Sequence, residues 1–125
     1  MSNHFIRARA ILGVRDVETS AAFYERALGF RVVTRMGEPT MFASLVRDEA
    51  GLSLVRTDEP AVASFACCYF DVEGVGELHA RCVAEGVEIV HPLTRQPWGN
   101  LDFVVVDPDG HRIAIGEPHA NDPHP

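Results

Sequence analysis

The chain reads as one run of structural elements written twice. In the first half Asp16 stands as an N-cap and Glu18 falls in the first turn behind it. Val17, Ala21, Tyr24 and Leu28 then recur at helical spacing as far as Gly29, a natural helix stop. Residues 5–13 before this helix alternate as a strand, and Phe30–Met36 after it is rich in β-branched residues. Met41–Arg47 and Leu52–Arg56 form a hairpin pattern about a turn at Asp48–Gly51. After a polar linker, Thr57–Ser64, the order returns. Phe65–Asp71 is a strand. Gly74–Glu85 is a helix with Val75, Leu78, Cys82 and Val83 on one face, and Gly86 ends it. Val87–His91 is a strand cut by Pro92. Leu101–Val106 and Arg112–Gly116 are strands about the turn Asp107-Pro108-Asp109-Gly110, whose proline and glycine suit a type I geometry. The stop glycines, Gly29 and Gly86, are 57 positions apart. Letters match poorly between the halves, so the pattern repeats more than the residues do.

A strand-helix-strand-strand-strand unit repeated in one chain predicts an α+β fold of two βαβββ modules. The first covers about residues 5–57 and the second about 64–117, with a frayed tail at 118–125. Together they make one domain of residues 1–125 with a curved mixed sheet. Each module has one helix, and one helix covers one sheet face. The other face must curve around a ligand or pack on a partner, which predicts a cleft and a homodimer.

Length and charge narrow the rest. With 125 residues and 46% apolar content the chain can build one core and not two independent ones. A net charge of −7 argues against a surface that grips nucleic acid. It favours solubility and, if focused in a cleft, a cationic ligand. The longest aliphatic run, around Phe103–Val106, is far below a membrane span, and the first residues carry no signal-like apolar stretch. Cys67, Cys68 and Cys82 are an odd number without a C-x-x-C spacing, which fits free thiols in a reducing cytoplasm. Adjacent thiols on a strand are expected to point to opposite faces.

Two stretches carry a resemblance. Val14-Arg15-Asp16-Val17, Ser20, Phe23-Tyr24 and Leu28-Gly29-Phe30 resemble the first-module signature of the vicinal-oxygen-chelate superfamily. Gln96-Pro97-Trp98-Gly99, Phe103 and Asp107-Pro108-Asp109-Gly110-His111 resemble its second-module signature. The resemblance spans about residues 7–117. That superfamily includes glyoxalases, extradiol dioxygenases, epimerases, fosfomycin-resistance enzymes and bleomycin-resistance proteins, so it implies the fold without choosing the function.

Its enzymes hold a divalent metal with His and Glu from equivalent strands. Counted from the motifs, those positions fall on Arg9, Cys67 and Ala114, with a further one near Ser53–Val55. Guanidinium offers no lone pair, a methyl group no donor, and one thiolate is no site for an oxygen-preferring cation. A slip of one residue meets Ala8, Ala10, Ala66, Cys68, Ile113 or Ile115, none better. No metal and no cofactor are therefore expected. Of the histidines, His4, His119 and His124 lie near the ends, while His79 and His111 are expected to face solvent. An unconventional metal site would have to draw on His91 and His111.

Among relatives without metal the bleomycin-resistance proteins match best. They bind a drug in a cleft at a dimer interface and stack aromatic rings on its flat heterocycles. The Gln-Pro-Trp-Gly motif carries their stacking residue over as Trp98. Phe42, ahead of Val46-Arg47-Asp48, stands where their second aromatic does. Strand alternation adds Arg9 and Ile11, then Phe65, Cys67 and Tyr69, then Arg112, Ala114 and Gly116 to the lining. Arg9 and Arg112 either meet an anionic group on the ligand or pair with acidic residues such as Asp102 or Glu117. The resemblance thus implies a protein that sequesters a flat, polar-tipped small molecule. Two alternatives stay open. One is an enzyme using an unusual metal site or acid-base work by Cys67, Tyr69 or Glu117. The other is a structural dimer with a vestigial cleft.

Overall fold

The computed structural model describes residues 2–118. The chain divides into two compact units that part between Ala61 and Val62. Each is a βαβββ module, as the repeated pattern predicts.

In the first module the elements run β1 (Arg9–Val14), α1 (Val17–Leu28), β2 (Arg31–Met36), β3 (Phe42–Arg47) and β4 (Ala50–Arg56). The sheet order is β1-β4-β3-β2, with β1 parallel to β4 and the other pairs antiparallel. Asp16 is extended, and its carboxyl accepts from the Thr19 N–H at 2.9 Å. That bond holds the carboxyl below the usual range. Gly29 ends the helix at φ 73° and donates back to the Glu25 carbonyl, while Phe30 N–H reaches Tyr24. Between these caps Val17, Ala21, Tyr24 and Leu28 are buried. They face Leu12, Val14, Ala43, Leu45, Leu52 and Leu54, the alternate residues of three strands. Burying a side chain such as Leu28 is worth about 1.5–3 kcal/mol. Tyr24 sits edge-on to Phe23 at 5.1 Å.

The second module runs β5 (Ala66–Asp71), α2 (Val75–Ala84), β6 (Ile89–Arg95), β7 (Leu101–Val106) and β8 (Arg112–Glu117). Its order is β5-β8-β7-β6, again with a single parallel pair, β5 and β8. Phe103, Val105, Ile113 and Ile115 form the buried face with Val75 and Cys82 of α2. The β7–β8 turn is the expected one. Gly110 N–H bonds Asp107 O at 3.0 Å, and the Asp107 carboxyl takes the N–H groups of Asp109 and His111.

Several expectations shift. β1 begins at Arg9, four residues late, because Phe5 and Ile6 are exposed and pair with nothing in the sheet. The β3–β4 turn tightens to Asp48-Glu49, with Asp48 at φ 50°, a value Asp tolerates better than most residues. Pro92 does not cut β6. That strand lies at the sheet edge, and its register shifts on both sides of His91, so the missing N–H costs no ladder bond. Val83 points outward, whereas His79 packs edge-on against Phe103 at 5.1 Å. His111 is only 3% exposed, since the Asp107 turn folds it inward. His119, His124 and most of the tail lie outside the described residues.

Candidate functional site

Each module leaves one sheet face without a helix, and on each the same device appears. A glycine in a central strand opens a slot, and a long side chain from the edge strand crosses it. In the first module the slot is Gly51 on β4. The stems of Arg9 and Arg7 cross there, so that a Cβ at Gly51 would lie 2.9 Å from Arg9 Cγ. Arg9 then donates from Nη1 to Ser44 Oγ on β3 at 2.7 Å. Phe42, half-buried, shares this face with Ser44, while the alternating Ala43 and Leu45 point into the core. Ile11 shares it too and is exposed.

In the second module the slot is Gly116 on β8. The Tyr69 phenol of β5 occupies the place a Cβ would take and meets Asp102 on β7. Tyr69 donates from its hydroxyl to Asp102 Oδ2 at 3.0 Å, and Gln96 Nε2 donates to Oδ1 at 2.7 Å. Asp102 is only 8% exposed. Asn100 Nδ2 donates to the Tyr69 hydroxyl at 3.2 Å, and its own Oδ1 is buried with no hydrogen-bond partner among the described residues. Burial comes first in holding the Tyr69 phenol above its ordinary range, reinforced by Asp102 and opposed by Asn100.

Gln96 and Asn100 are the two ends of the β6–β7 loop. The loop is closed by Gln96 N–H to Asn100 O at 2.7 Å and Gly99 N–H to Gln96 O at 2.9 Å. Arg95 bonds the Gly99 carbonyl at 2.7 Å, and Gly99 adopts φ 110°, which a side chain would resist. Trp98 sits near the tip, 66% exposed. Tyr69, Asp102, Gln96 and Asn100 thus form one hydrogen-bonded group at the base of the loop that carries Trp98.

The remaining candidates are placed as follows. Ala114 pairs with Tyr69 in register and is buried under it, on the open face. Arg112 donates to the Ser64 carbonyl at 3.1 Å. Neither Arg9 nor Arg112 pairs with a carboxylate among the described residues. Asp102 and Glu117 are engaged elsewhere. Glu117 Oε1 accepts the N–H groups of Gly74 and Val75, both at 3.0 Å, capping α2 where Gly74 has no side chain to do so. That role removes Glu117 from the acid-base candidates. Phe65 and Cys67 are exposed. Cys68 is half-buried. The register shifts between Ala66 and Cys68. Neighbouring Cys68 is the main cause that lowers the Cys67 thiol, to about 7, while Cys67 and burial raise Cys68.

The positions that correspond to metal ligands hold an arginine bonded to a serine, a thiol, and a methyl group. Among the described residues no three His, Cys, Asp or Glu side chains gather to hold an ion. This donor set does not fit a divalent metal. His91 is exposed on β6 and His111 buried behind its turn, so the two differ in setting. No helix of the described residues is long and apolar enough to cross a membrane. A groove of about 450 Å³ beside the start of α1 is lined by Glu18, Thr40 and Arg56 among others. Its charges are matched locally, Glu18 by Arg35 and Thr40, and Arg56 by Asp58. It also lies on the helix side of the module, so it is not assigned as the site.

The sequence points to Trp98, Tyr69 and Arg9 as candidates but not to Ser44, which holds Arg9, or to Asn100 and Gln96, which bond Tyr69 and Asp102. The available signal was a glycine inside each of two buried strands, Gly51 and Gly116, which marks a close approach.

Known proteins bear on these observations. Residues 3–115 match the Glyoxalase/Bleomycin resistance protein/Dioxygenase superfamily. A bleomycin resistance protein of Geobacillus stearothermophilus is 32% identical over 121 residues, which is 83% of this chain and 90% of that protein. One from Klebsiella pneumoniae is 30% identical over 110 residues, 81% of this chain and 83% of that protein. The bleomycin resistance determinant encoded on transposon Tn5 superposes with a TM-score of 0.75 at 29% identity, covering 90% of this chain and 97% of that one. TioX from Micromonospora sp. ML1 does so at 0.75 and 28%, covering 89% and 97%. With both modules matched and the paired βαβββ topology in place, the chain belongs to the glyoxalase/bleomycin resistance protein/dioxygenase superfamily.

Proposed function

We propose that this chain is a metal-free small-molecule binding protein of the bleomycin-resistance type. It sequesters a flat aromatic ligand with polar ends, in a cleft completed at a homodimer interface, and does no chemistry on it. The observation that carries this reading is the exposed Trp98, held on a loop whose two ends are bonded to Tyr69 and Asp102. An indole pre-positioned in this way stacks on a planar ring with little ordering cost, worth about 0.5–1.5 kcal/mol beyond the area buried. Asn100 Oδ1, an acceptor without a partner beside that loop, suits a donor group on the ligand. Tyr69, Cys67, Arg112 and Ala114 line the same module's open face. Phe42 and Arg9 are the corresponding groups of the first module, Phe42 a second stacking surface and Arg9 a fixed cation. The relatives named for bleomycin resistance support the class of activity. The protein works in the cytoplasm, where its thiols stay reduced.

A thermal-shift panel of flat heteroaromatic antibiotics, bleomycin included, tests this. At least one is expected to raise the melting temperature in a concentration-dependent way without added metal. No shift with any planar ligand would leave the fold without this function. Light scattering at micromolar concentration is expected to give twice the chain mass, and a monomer contradicts the shared cleft.

A further inference from the structure

The register of the first sheet sorts its open face into three rows, each crossing β1, β4, β3 and β2 in that order. The first row is Arg9, Gly51, Val46 and Arg31. The second is Ile11, Ser53, Ser44 and Thr34. The third is Gly13, Val55, Phe42 and Met36. One row thus has an arginine at each end, the next holds three hydroxyls, and the last is apolar. Rows two residues apart lie about 7 Å from each other along the strands. The bulge at Val33 belongs to this order. It sets Thr34 opposite Ser44 where Val33 would otherwise stand, and it leaves Arg35 on the helix side, bonded to Glu18 of α1.

The first row carries positive charge that the module does not answer. Arg9 lies over Gly51 and donates from Nη1 to Ser44 Oγ at 2.7 Å. Nε and Nη2, the two donors on the other edge of the guanidinium, have no hydrogen-bond partner among the described residues. Such an edge matches the two oxygens of a carboxylate. Arg7 shares the slot but spends Nη2 on the Asp48 carbonyl at 3.2 Å. The nearby acids are used elsewhere, Glu18 by Arg35, Asp58 by Arg56 and Asp16 by the start of α1. Residues 1–61 hold eight arginines against eight Asp and Glu, so the net charge of −7 comes from the rest of the chain.

The other rows say what accompanies the anion. Ser44 and Ser53 are 4% and 5% exposed, hydroxyls set into a face that no helix covers. Phe42 is half-buried, and Val55 and Met36 beside it are exposed. Ser44, which holds the Arg9 tip, and Phe42 are two residues apart on β3, so their Cα atoms stand about 7 Å apart. A carboxylate fixed directly to a ring is too short for that step, and one short linker fills it.

We propose that the open face of the first module binds an aromatic carboxylate of the aroyl amino acid kind. Its carboxylate lies on the free edge of Arg9, its ring on Phe42, and the polar linker between them meets the hydroxyl row. Arg31 adds attraction from the far end of its row. This deepens the sequestration reading and rests on it only in taking the open face as the one a ligand reaches.

N-(2-Naphthoyl)glycine is the probe, titrated into the full chain by calorimetry. It should bind about tenfold or more tightly than its methyl ester, the margin of a charge-assisted hydrogen-bond pair. Arg9→Gln should bind acid and ester alike. Arg31→Gln should narrow the margin by less, and Arg35→Gln, on the helix side, should keep it. Circular dichroism checks each fold, and Arg9→Met repeats the test if glutamine disturbs the slot. An ester that binds the parent as tightly as the acid, or a margin that survives both Arg9 variants, overturns the proposal. A parent that binds neither also overturns it, and a neutral planar ligand that still raises the melting temperature then leaves the sequestration reading standing. 2-Naphthoate, which lacks the linker, should bind more weakly than the probe. Equal binding removes the linker from the proposal and leaves the carboxylate. Tighter binding of 2-naphthyl phosphate than of the probe overturns the carboxylate as the anion.

Discussion

The hydroxyl of Tyr69 reaches Asp102 across an intervening strand, at 3.0 Å, because Gly116 between them has no side chain. Arg9 reaches Ser44 across Gly51 in the same way, at 2.7 Å. The two glycines predict unequal costs. At Gly116 an added methyl meets the Tyr69 ring and Asp102 Cβ, which is fixed to the backbone of β7. Gly116→Ala should therefore displace Tyr69 and destabilise the protein by about 1–3 kcal/mol. At Gly51 the nearest atoms are the flexible stems of Arg9 and Arg7, and alanine also narrows the unfolded ensemble. Gly51→Ala should lie within about 1 kcal/mol of the parent. Urea melts of the two variants give the order, and an equal cost contradicts this account of the slots.

Tyr69→Phe removes one of the two donors to Asp102 and keeps the ring in its slot. The loss expected is about 1–2 kcal/mol, the range of a hydrogen bond whose buried acceptor stays behind. Because the folded state raises the Tyr69 phenol, its contribution is fully present below the unfolded value near 10. It is lost as pH rises through the higher folded value. The stability gap between parent and variant should hold constant from neutral pH to about 9 and narrow in stronger alkali. A gap that closes between pH 6 and 8 points to another group.

Glu117→Ala should loosen the start of α2, where its carboxyl takes two backbone N–H groups that Gly74 cannot serve. A cost of about 1 kcal/mol is expected, as for other helix caps. Amide exchange should quicken at Gly74 and Val75 more than in α1, which Asp16 caps for itself. Glu117→Gln, with an oxygen in the same place, should recover most of the loss. Equal exchange in parent and alanine variant would mean the cap contributes nothing.

What the sequence disclosed and what it hid follow from the range of the forces involved. Both helices were legible because caps and stops act within one turn, as Asp16, Gly29 and Gly86 do. The paired topology was legible because the order of elements repeats. Pro92 misled because its effect depends on whether β6 is an edge strand, and sheet order is not a local property. His111 misled because a polar residue after a turn is exposed unless the turn folds it inward, which the Asp107 carboxyl does here. The irregularity at Cys67 stayed hidden because it shows only in the pairing with β8. Trp98 and Tyr69 were legible as candidates by residue type and motif. The bonds of Tyr69, Gln96, Asn100 and Asp102 below the Trp98 loop join positions up to 33 residues apart, contacts that no periodicity encodes.

The central claim is that Trp98 is a stacking anchor placed for a planar ligand. Trp98 is the sole tryptophan of the chain, so its emission reports on that one loop. Titrating bleomycin, or the strongest ligand from the thermal panel, against intrinsic fluorescence should quench it along a saturable curve. Trp98→Ala should fold as the parent does, since the indole is 66% exposed, and should bind the same ligand about 1–3 kcal/mol more weakly by calorimetry. Linear, unsaturable quenching, or an alanine variant that binds as tightly as the parent, contradicts the account.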